Sequence, residues 1–479
     1  MSPGYVGAMT STENGTDLAG NTEPARQVLA ELPPDIVIDD PDITASYAHD
    51  ESQLTSHGTP SAVLAPRSTE EVSRCLAAAH RHGVPVVPRG AGSGLSGGAN
   101  AAEGALVLSL HRMDRILEVN AEDRLAVVQP GVITARLRER VREEGLFYPP
   151  DPGSVEMCTI GGNVSTNAGG MCCVKYGVTA DFVIGLQVVL ADGRVMRTGR
   201  RTVKGVAGYD LTHLFVGAEG TLGVVTEVTV RLVPAPLSAH TLVASFGKLE
   251  DAGHVVAQVT GEGLTPSLME ILDRTTVQAV DAMSRMGIGE GVEALLLLQS
   301  DGPDAAELLA SIESICRAHG SVDVARSTDP GEAALLLEAR RLALPALEML
   351  GDWLLDDVAV PRSRIVDLIA GVEEVSRDVG LTIGVFGHAG DGNLHPTVIF
   401  DGRDPASRGA ARTAFDRITQ LALRLGGTIT GEHGVGELKR GWLGHELDPV
   451  ALSAHQAVKD ALDPTGILNP GKLWDPPAG

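Results

Sequence analysis

Residues 384–396 read GVFGHAGDGNLHP, with His388 and His395 at either end of a run of small and polar residues. A turn needs the glycines, but it does not need an imidazole on each side. Two imidazoles on adjoining extended segments can face one space if the chain doubles back between them. Imidazole suits a borderline divalent cation such as zinc, manganese or cobalt. A third ligand would be a carboxylate or another histidine, and TITGEHGVGELKR supplies Glu432 and His433. Two histidines and one glutamate leave coordination positions open, as a catalytic rather than a structural centre does. On spacing alone, the same residues read equally well as polar loop groups satisfied by backbone.

A second chemistry is suggested by glycine. Gly92, Gly94 and Gly97 satisfy G-x-G-x-x-G. A dinucleotide reading of that spacing requires a helix to open at once, its N-terminus facing the pyrophosphate. Here GANAAEG and then a strand follow, so a nicotinamide cofactor on a Rossmann fold is rejected. Consecutive small residues still expose backbone N–H groups, which form an anion-binding concavity. TIGGNVSTNAGG repeats that chemistry and adds Ser165, Thr166 and Asn167 as donors. Either loop alone also reads as plain glycine turns. Together they suit a ligand with two phosphates.

The elements that must position these residues follow from pattern. SAVLAP reads as a strand. STEEVSRCLAAAHRHG reads as a helix with Ser68 as N-cap, Glu71 completing a capping box and Gly83 as the stop. VPVVP, ALVLSL and RLAVVQP read as strands, TARLRERVREEG as a helix, and TIGGNVSTNAGG as a loop. VIGLQVVLADGRVMRTG reads as a hairpin turning at Asp192-Gly193. After GVVTEVTVRLVP, the segment VPAPLSAH looks like a linker, and a domain boundary is placed near 235. Beyond it, LLLLQS, TIGVFGH and LHPTVIF read as strands between helices such as 304–319 and 331–350. The division expected is a disordered tail over 1–30, one domain over 31–235, a second over 236–425, and a closing segment over 426–479.

Composition sets limits. The chain has 479 residues, enough for two or three domains, with 57 glycines and 3% aromatics. Its 38 basic and 62 acidic residues give a net charge of −24, which argues against nucleic acid or an anionic membrane as a partner through bulk charge. Five cysteines, two of them adjacent, match no iron–sulfur or tetra-cysteine zinc spacing. Reduced thiols in a cytoplasmic protein are the expectation. The first residues lack a basic segment followed by an apolar one, so no signal peptide is expected. No apolar run is long enough to span a bilayer.

Several longer motifs then point one way. PRGAGSGLSGG, PPDPGS, CTIGGNVSTNAGGMCCVKYG, GAEGTLGVVTEV and DPTGILNPGK resemble, in order and over about residues 45–475, the FAD-binding family typified by vanillyl-alcohol oxidase. The subgroup they resemble holds D-lactate dehydrogenase, D-2-hydroxyglutarate dehydrogenase and the flavin subunit of glycolate oxidase. The resemblance implies an α+β fold: a two-part FAD-binding domain, an α+β substrate or cap domain, and a C-terminal segment returning to the flavin. It implies that Pro88, Arg89, Gly90, Ala91, Gly92, Ser93 and Gly94 wrap the pyrophosphate. Thr159, Gly161, Gly162, Asn163, Ser165, Thr166, Asn167, Ala168, Gly169 and Gly170 would do so from the other side. Pro150, Asp151 and Pro152 would line the flavin. Glu219, Gly220, Gly223 and Val224 would meet the adenosine half, and Asn469 to Lys472 would come back to the ring. The first loop holds no His or Cys, so FAD is expected to be non-covalent.

The same resemblance makes His388, His395 and Glu432 ligands of a divalent metal, zinc or manganese, beside the flavin. It makes His433 the base and Arg340 the receptor of the substrate carboxylate. Removal of a hydroxyl proton and a C2 hydride from a 2-hydroxy acid would follow, with metal and histidine aiding the first loss. Leu355, Thr397 and Leu344 stand where relatives acting on 2-hydroxyglutarate carry lysine, asparagine and threonine. A second carboxylate would lack partners, so D-lactate or glycolate is favoured. The rival readings are a D-2-hydroxyglutarate dehydrogenase, a metal-free flavin oxidase, a metal-dependent hydrolase, and a non-catalytic flavin-binding subunit. The electron acceptor is left open among a quinone-linked partner, an iron–sulfur subunit, an electron-transfer flavoprotein and a cytochrome. So are a homodimeric state and a peripheral position at the inner face of a membrane.

Overall fold

The computed structural model describes residues 23–237 and 239–474. The helix Thr69–His82 shows how closely local chemistry is followed. Ser68 caps it by accepting the Glu71 N–H at 3.3 Å, and it ends at Gly83 with φ +64°. The reciprocal half of the box is displaced by one residue: the Glu71 carboxylate takes the Arg67 N–H at 2.6 Å. The buried face of this helix (Val72, Cys75, Leu76, Ala79) covers a four-stranded sheet. In that sheet Val37–Ile38, Ala62–Leu64, Leu106–Ser109 and Val86–Arg89 lie side by side, the last three parallel. Glu23–Ala30 is helical and buries Ala25 and Val28 in the same core. The expectation of a disordered tail over 1–30 therefore fails for 23–30, because an apolar face there finds a core to cover; residues 1–22 lie outside the described residues.

A second, five-stranded antiparallel sheet follows, in the order Ile116–Asn120, Leu125–Val128, Val224–Arg231, Val183–Val189, Val195–Gly199. The expected hairpin turns at Gly193, φ +87°. The segment TIGGNVSTNAGG, expected as a loop, contains a helix, Ile160–Thr166. Thr159 caps it by accepting the Gly162 N–H, and Asn167, at φ +54°, closes it. Glycine is tolerated inside the helix because a Cβ at Gly161 would come within 2.5 Å of the Pro130 ring.

From His240 the chain builds an eight-stranded sheet. Its main path runs Ser321–Ser327, His240–Phe246, Ala294–Ser300, Leu268–Asp273, Ile383–His388, Asn393–Phe400 and Asp352–Leu355, with Val358–Ala359 also paired to Asn393–Phe400. The hairpin 383–400 places Phe386 opposite His395 and His388 opposite Asn393. Strand alternation thus puts both histidines on one face, together with Glu270, Leu355 and Thr397 from the paired strands. The other face buries Ile271, Val385, Leu394 and Val398 beneath helices Ile365–Val379 and Pro405–Arg424.

The C-terminal segment returns to the first sheet. Val86 and Leu468 form a parallel bridge, and Asn469 N–H donates to the Val86 carbonyl at 2.8 Å. Lys459, buried, pins this return through Asp463 (2.5 Å) and the carbonyls of Thr221 and Leu468.

Candidate active site

The site is a convergence of imidazoles on one carboxylate. Nε2 of His388, His395 and His433 lies 3.2, 3.5 and 3.6 Å from Glu432 Oε1. The rings of His388 and His395 stand edge to face with centroids 5.1 Å apart, and those of His395 and His433 stack at 4.9 Å and 8°. The first two side chains are about 5% exposed or less, whereas His433 is 20% exposed and so the most open to a substrate.

Two further carboxylates hold this cluster. Glu270, fully buried, accepts from His388 Nδ1 at 2.7 Å and Arg340 Nε at 2.5 Å. Asp357 Oδ2 accepts the backbone N–H groups of Gly431, Glu432 and His433 at 2.8, 2.9 and 2.9 Å, and the Thr430 hydroxyl at 2.8 Å. The Asn393 amide donates to its other oxygen at 2.6 Å. Sequence reasoning missed both acids. Their signal was charge in an otherwise apolar run, one acid in SLMEIL and two adjacent acids in WLLDDVAV, which is unfavourable unless paired.

Electrostatics follow from this packing. Burial opposes charge on His388, but Glu270 and Glu432 outweigh it and raise its pKa well above the ordinary value. Burial, reinforced by His433 and His388, pushes His395 down to about 3, so it is neutral and its Nε2 can donate a lone pair. Glu432 is held at about 2 against burial by His388 and the other imidazoles. His395 Nδ1 is buried without a hydrogen-bond partner, 3.7 Å from Asp357 Oδ1.

The donor set fits a divalent cation. His388, His395 and Glu432 offer ligand atoms within 4.8 Å of one another, and the pocket that stabilises a proton on His388 would equally stabilise a metal charge. Asp357, His395 and His433 form a second such group, so His433 stands within reach of both.

The expected flavin residues are less uniform. Backbone N–H groups of residues 90–94 meet no protein acceptor among the described residues, as an anion cradle requires. A Cβ at Gly90 would lie 2.6 Å from Thr159 Oγ1, so the two glycine segments adjoin. The second segment has fewer free donors than expected. The N–H groups of Ile160, Gly161 and Gly162 go to Val132, Pro130 and the Thr159 hydroxyl. Ser165 and Thr166 hydroxyls bond back to Gly161 and Gly162 carbonyls, as helical Ser and Thr commonly do, and Asn167 Oδ1 accepts the Ala180 N–H. Asn163 Nδ2 donates to Thr134, while Ala168 takes the Thr179 N–H and hydroxyl on its carbonyl. Asp151 packs against Gly170 and accepts from Cys172 N–H at 3.1 Å. A Cβ at Gly169 would collide with the Glu432 carboxylate, so this segment meets the histidine cluster directly.

Glu219, expected at the adenosine half, also bridges to the histidine loop. Its N–H and carbonyl are taken by Ser165 and Asn469, and its carboxylate binds Val435 N–H (2.7 Å) and Gly436 N–H (2.8 Å), just beyond His433. Gly220 lies against the Pro88 ring and Gly223 against Val188, each where a Cβ would crowd its neighbour. Arg89, expected at the pyrophosphate, donates to the His49 carbonyl at 2.9 Å. Asn469 Oδ1 is buried and unpartnered.

Residues 60–199 match the model of the FAD binding domain, and residues 235–473 match that of the C-terminal domain of FAD linked oxidases. The glycolate oxidase subunit GlcD of Bacillus subtilis is 46% identical over 418 residues, 87% of this chain and 89% of that protein. The chain belongs to the FAD-linked oxidase family. It is therefore a flavoprotein oxidoreductase with an FAD-binding domain. A D-lactate dehydrogenase of Anaerostipes hadrus is 34% identical over 92% of this chain and 95% of its own. Among solved structures, p-cresol methylhydroxylase superposes with a TM-score of 0.79 at 18% identity, covering 95% and 98% of the two chains. That likeness shows the vanillyl-alcohol oxidase type of fold, as the motifs led one to expect. Among the described residues no helix is long and apolar enough to cross a membrane.

Proposed function

We propose that this protein oxidises a short D-2-hydroxy acid, D-lactate or glycolate in first place, to the 2-oxo acid, with FAD and a divalent cation held by His388, His395 and Glu432. The observation that carries the reading is the convergence of three imidazoles on Glu432, against Gly169 of the FAD-binding domain and beside the partly buried Arg340. Relatives named glycolate oxidase subunit and D-lactate dehydrogenase support it.

When bound, FAD supplies the two-electron acceptor and the cation a Lewis acid. The chain's own residues do the rest. The terminal guanidinium nitrogens of Arg340 receive the substrate carboxylate. His433, the most exposed imidazole, takes the hydroxyl proton at a ring nitrogen as the C2 hydrogen leaves with its electron pair. Leu355 and Thr397, paired across the sheet on the site face, offer no cation to a second carboxylate. FAD would be held non-covalently, and the electrons would pass to an acceptor outside this chain.

The test is the visible spectrum of the purified protein during anaerobic addition of D-lactate, L-lactate, glycolate and D-2-hydroxyglutarate in turn. Bleaching of a flavin band by D-lactate or glycolate is expected. A flavin that D-2-hydroxyglutarate alone bleaches would overturn the substrate choice. A flavin that none bleaches would overturn the reaction.

A further inference from the structure

We infer that Glu270 is the positioning residue that joins the two halves of this site, setting His388 as a cation ligand and Arg340 as an anion receptor with one carboxylate; the inference rests on the reading of the site proposed above. Glu270 is fully buried on a strand whose neighbours Leu268, Met269, Ile271 and Leu272 are buried and apolar. A carboxylate there is costly unless both oxygens are engaged. They are engaged by different partners: Oε1 by His388 Nδ1 at 2.7 Å and Oε2 by Arg340 Nε at 2.5 Å.

Each contact has a chemical consequence. A carboxylate held as an anion only accepts, so His388 Nδ1 must carry its hydrogen. That fixes the ring with Nε2 turned to Glu432, as a second carboxylate orients a metal-bound imidazole. At Arg340 the bond uses Nε, which leaves the two terminal nitrogens for a planar anion. The guanidinium also lies over the Phe386 ring, 4.9 Å from its centroid, and Phe386 pairs with His395 in the hairpin. Arg340 and the imidazoles thus share one rigid wall, and Glu270 is the group bonded to both.

Neither an amide nor a shorter acid can serve both donors. Glu270→Gln has one acceptor oxygen for two N–H groups; Glu270→Asp keeps the charge but is one methylene too short to span them. Both variants, and the wild type, would be purified with flavin bound, stripped with chelator and titrated with Zn²⁺. The metal-to-flavin ratio and Zn²⁺ affinity would be read beside KM and kcat. Each variant is expected to lose ten- to a hundred-fold in Zn²⁺ affinity or in KM for the hydroxy acid, with the flavin spectrum unchanged. Variants that unfold more readily yet keep wild-type Zn²⁺ affinity and KM would overturn the role of Glu270. A wild type that takes up no Zn²⁺ at the cluster would overturn the metal reading, and this inference with it.

Discussion

Asp357 Oδ2 and the His433 N–H are joined at 2.9 Å, and the same oxygen takes the two preceding N–H groups, of Gly431 and Glu432. Three successive donors aimed at one oxygen curl the backbone, so the loop that presents Glu432 and His433 is shaped from beneath by an acid in the link between strands Asp352–Leu355 and Val358–Ala359. His433, Lys439, His395 and these N–H groups hold the Asp357 carboxyl well below the usual range, despite complete burial. Ser96 completes the frame from the FAD-binding domain, its hydroxyl donating to the His433 carbonyl at 3.1 Å.

Asp357→Ala is therefore expected to disturb the loop more than the flavin. It strands the N–H groups of Gly431, Glu432 and His433 at once and takes one of two acceptors from the Thr430 hydroxyl and the Asn393 amide, which keep the Gly434 and Val358 carbonyls. Loss of a buried, multiply bonded charge costs on the order of 3 kcal/mol. Chemical denaturation should show that loss, and metal analysis a reduced metal-to-flavin ratio. A variant as stable as the wild type would remove Asp357 from this role.

His433→Ala separates proton transfer from cofactor retention. If the ring is the base, turnover should fall by about 10²- to 10⁴-fold while FAD and metal stay bound. The prediction discriminates because His433 also stands within 3.6 Å of Glu432 and belongs to a group of possible ligands with Asp357 and His395. Loss of metal in His433→Ala would make it a ligand. Wild-type turnover would exclude it as the base.

The sequence showed the architecture unevenly, and the reasons are physical. The hairpin 383–400 was legible because strand alternation is local, and it put His388 and His395 on one face as expected. The helix at 160–166 was missed because two glycines and a Ser-Thr pair read as loop; only the close approach of Pro130 explains the glycine at 161. Glu270 and Asp357 were hidden for another reason. Each acts on residues 70 to 118 positions away, across strands whose order no local pattern reveals.

Chelation should inactivate the enzyme reversibly. His395, neutral down to about pH 3, needs no deprotonation to bind a cation, whereas His388 must exchange its proton for one. Dialysis against a strong chelator is expected to leave the flavin spectrum intact and abolish turnover, and added Zn²⁺ or Mn²⁺ to restore it. His395→Ala should resist restoration. Full activity in a metal-free sample would favour a flavin oxidase that works without a cation.

Glu219 links stability to pH through the contact between the FAD-binding domain and the histidine loop. Burial raises its carboxyl to about 7, although Val435 and Gly436 N–H groups pull the other way. A folded pKa above the ordinary 4.5 means that the folded chain holds a proton which the unfolded chain has lost. Its contribution is complete below pH 4.5 and is lost as pH rises through about 7, a span on the order of 3 kcal/mol at about 1.4 kcal/mol per unit. Asp273 and Asp391 are each raised to about 6, so the wild-type profile alone does not isolate Glu219. The difference from Glu219→Gln does. Unfolding free energies measured from pH 5 to 8 should show the wild type losing stability relative to the variant as pH rises. A difference that stays constant across that range would mean Glu219 does not titrate in it.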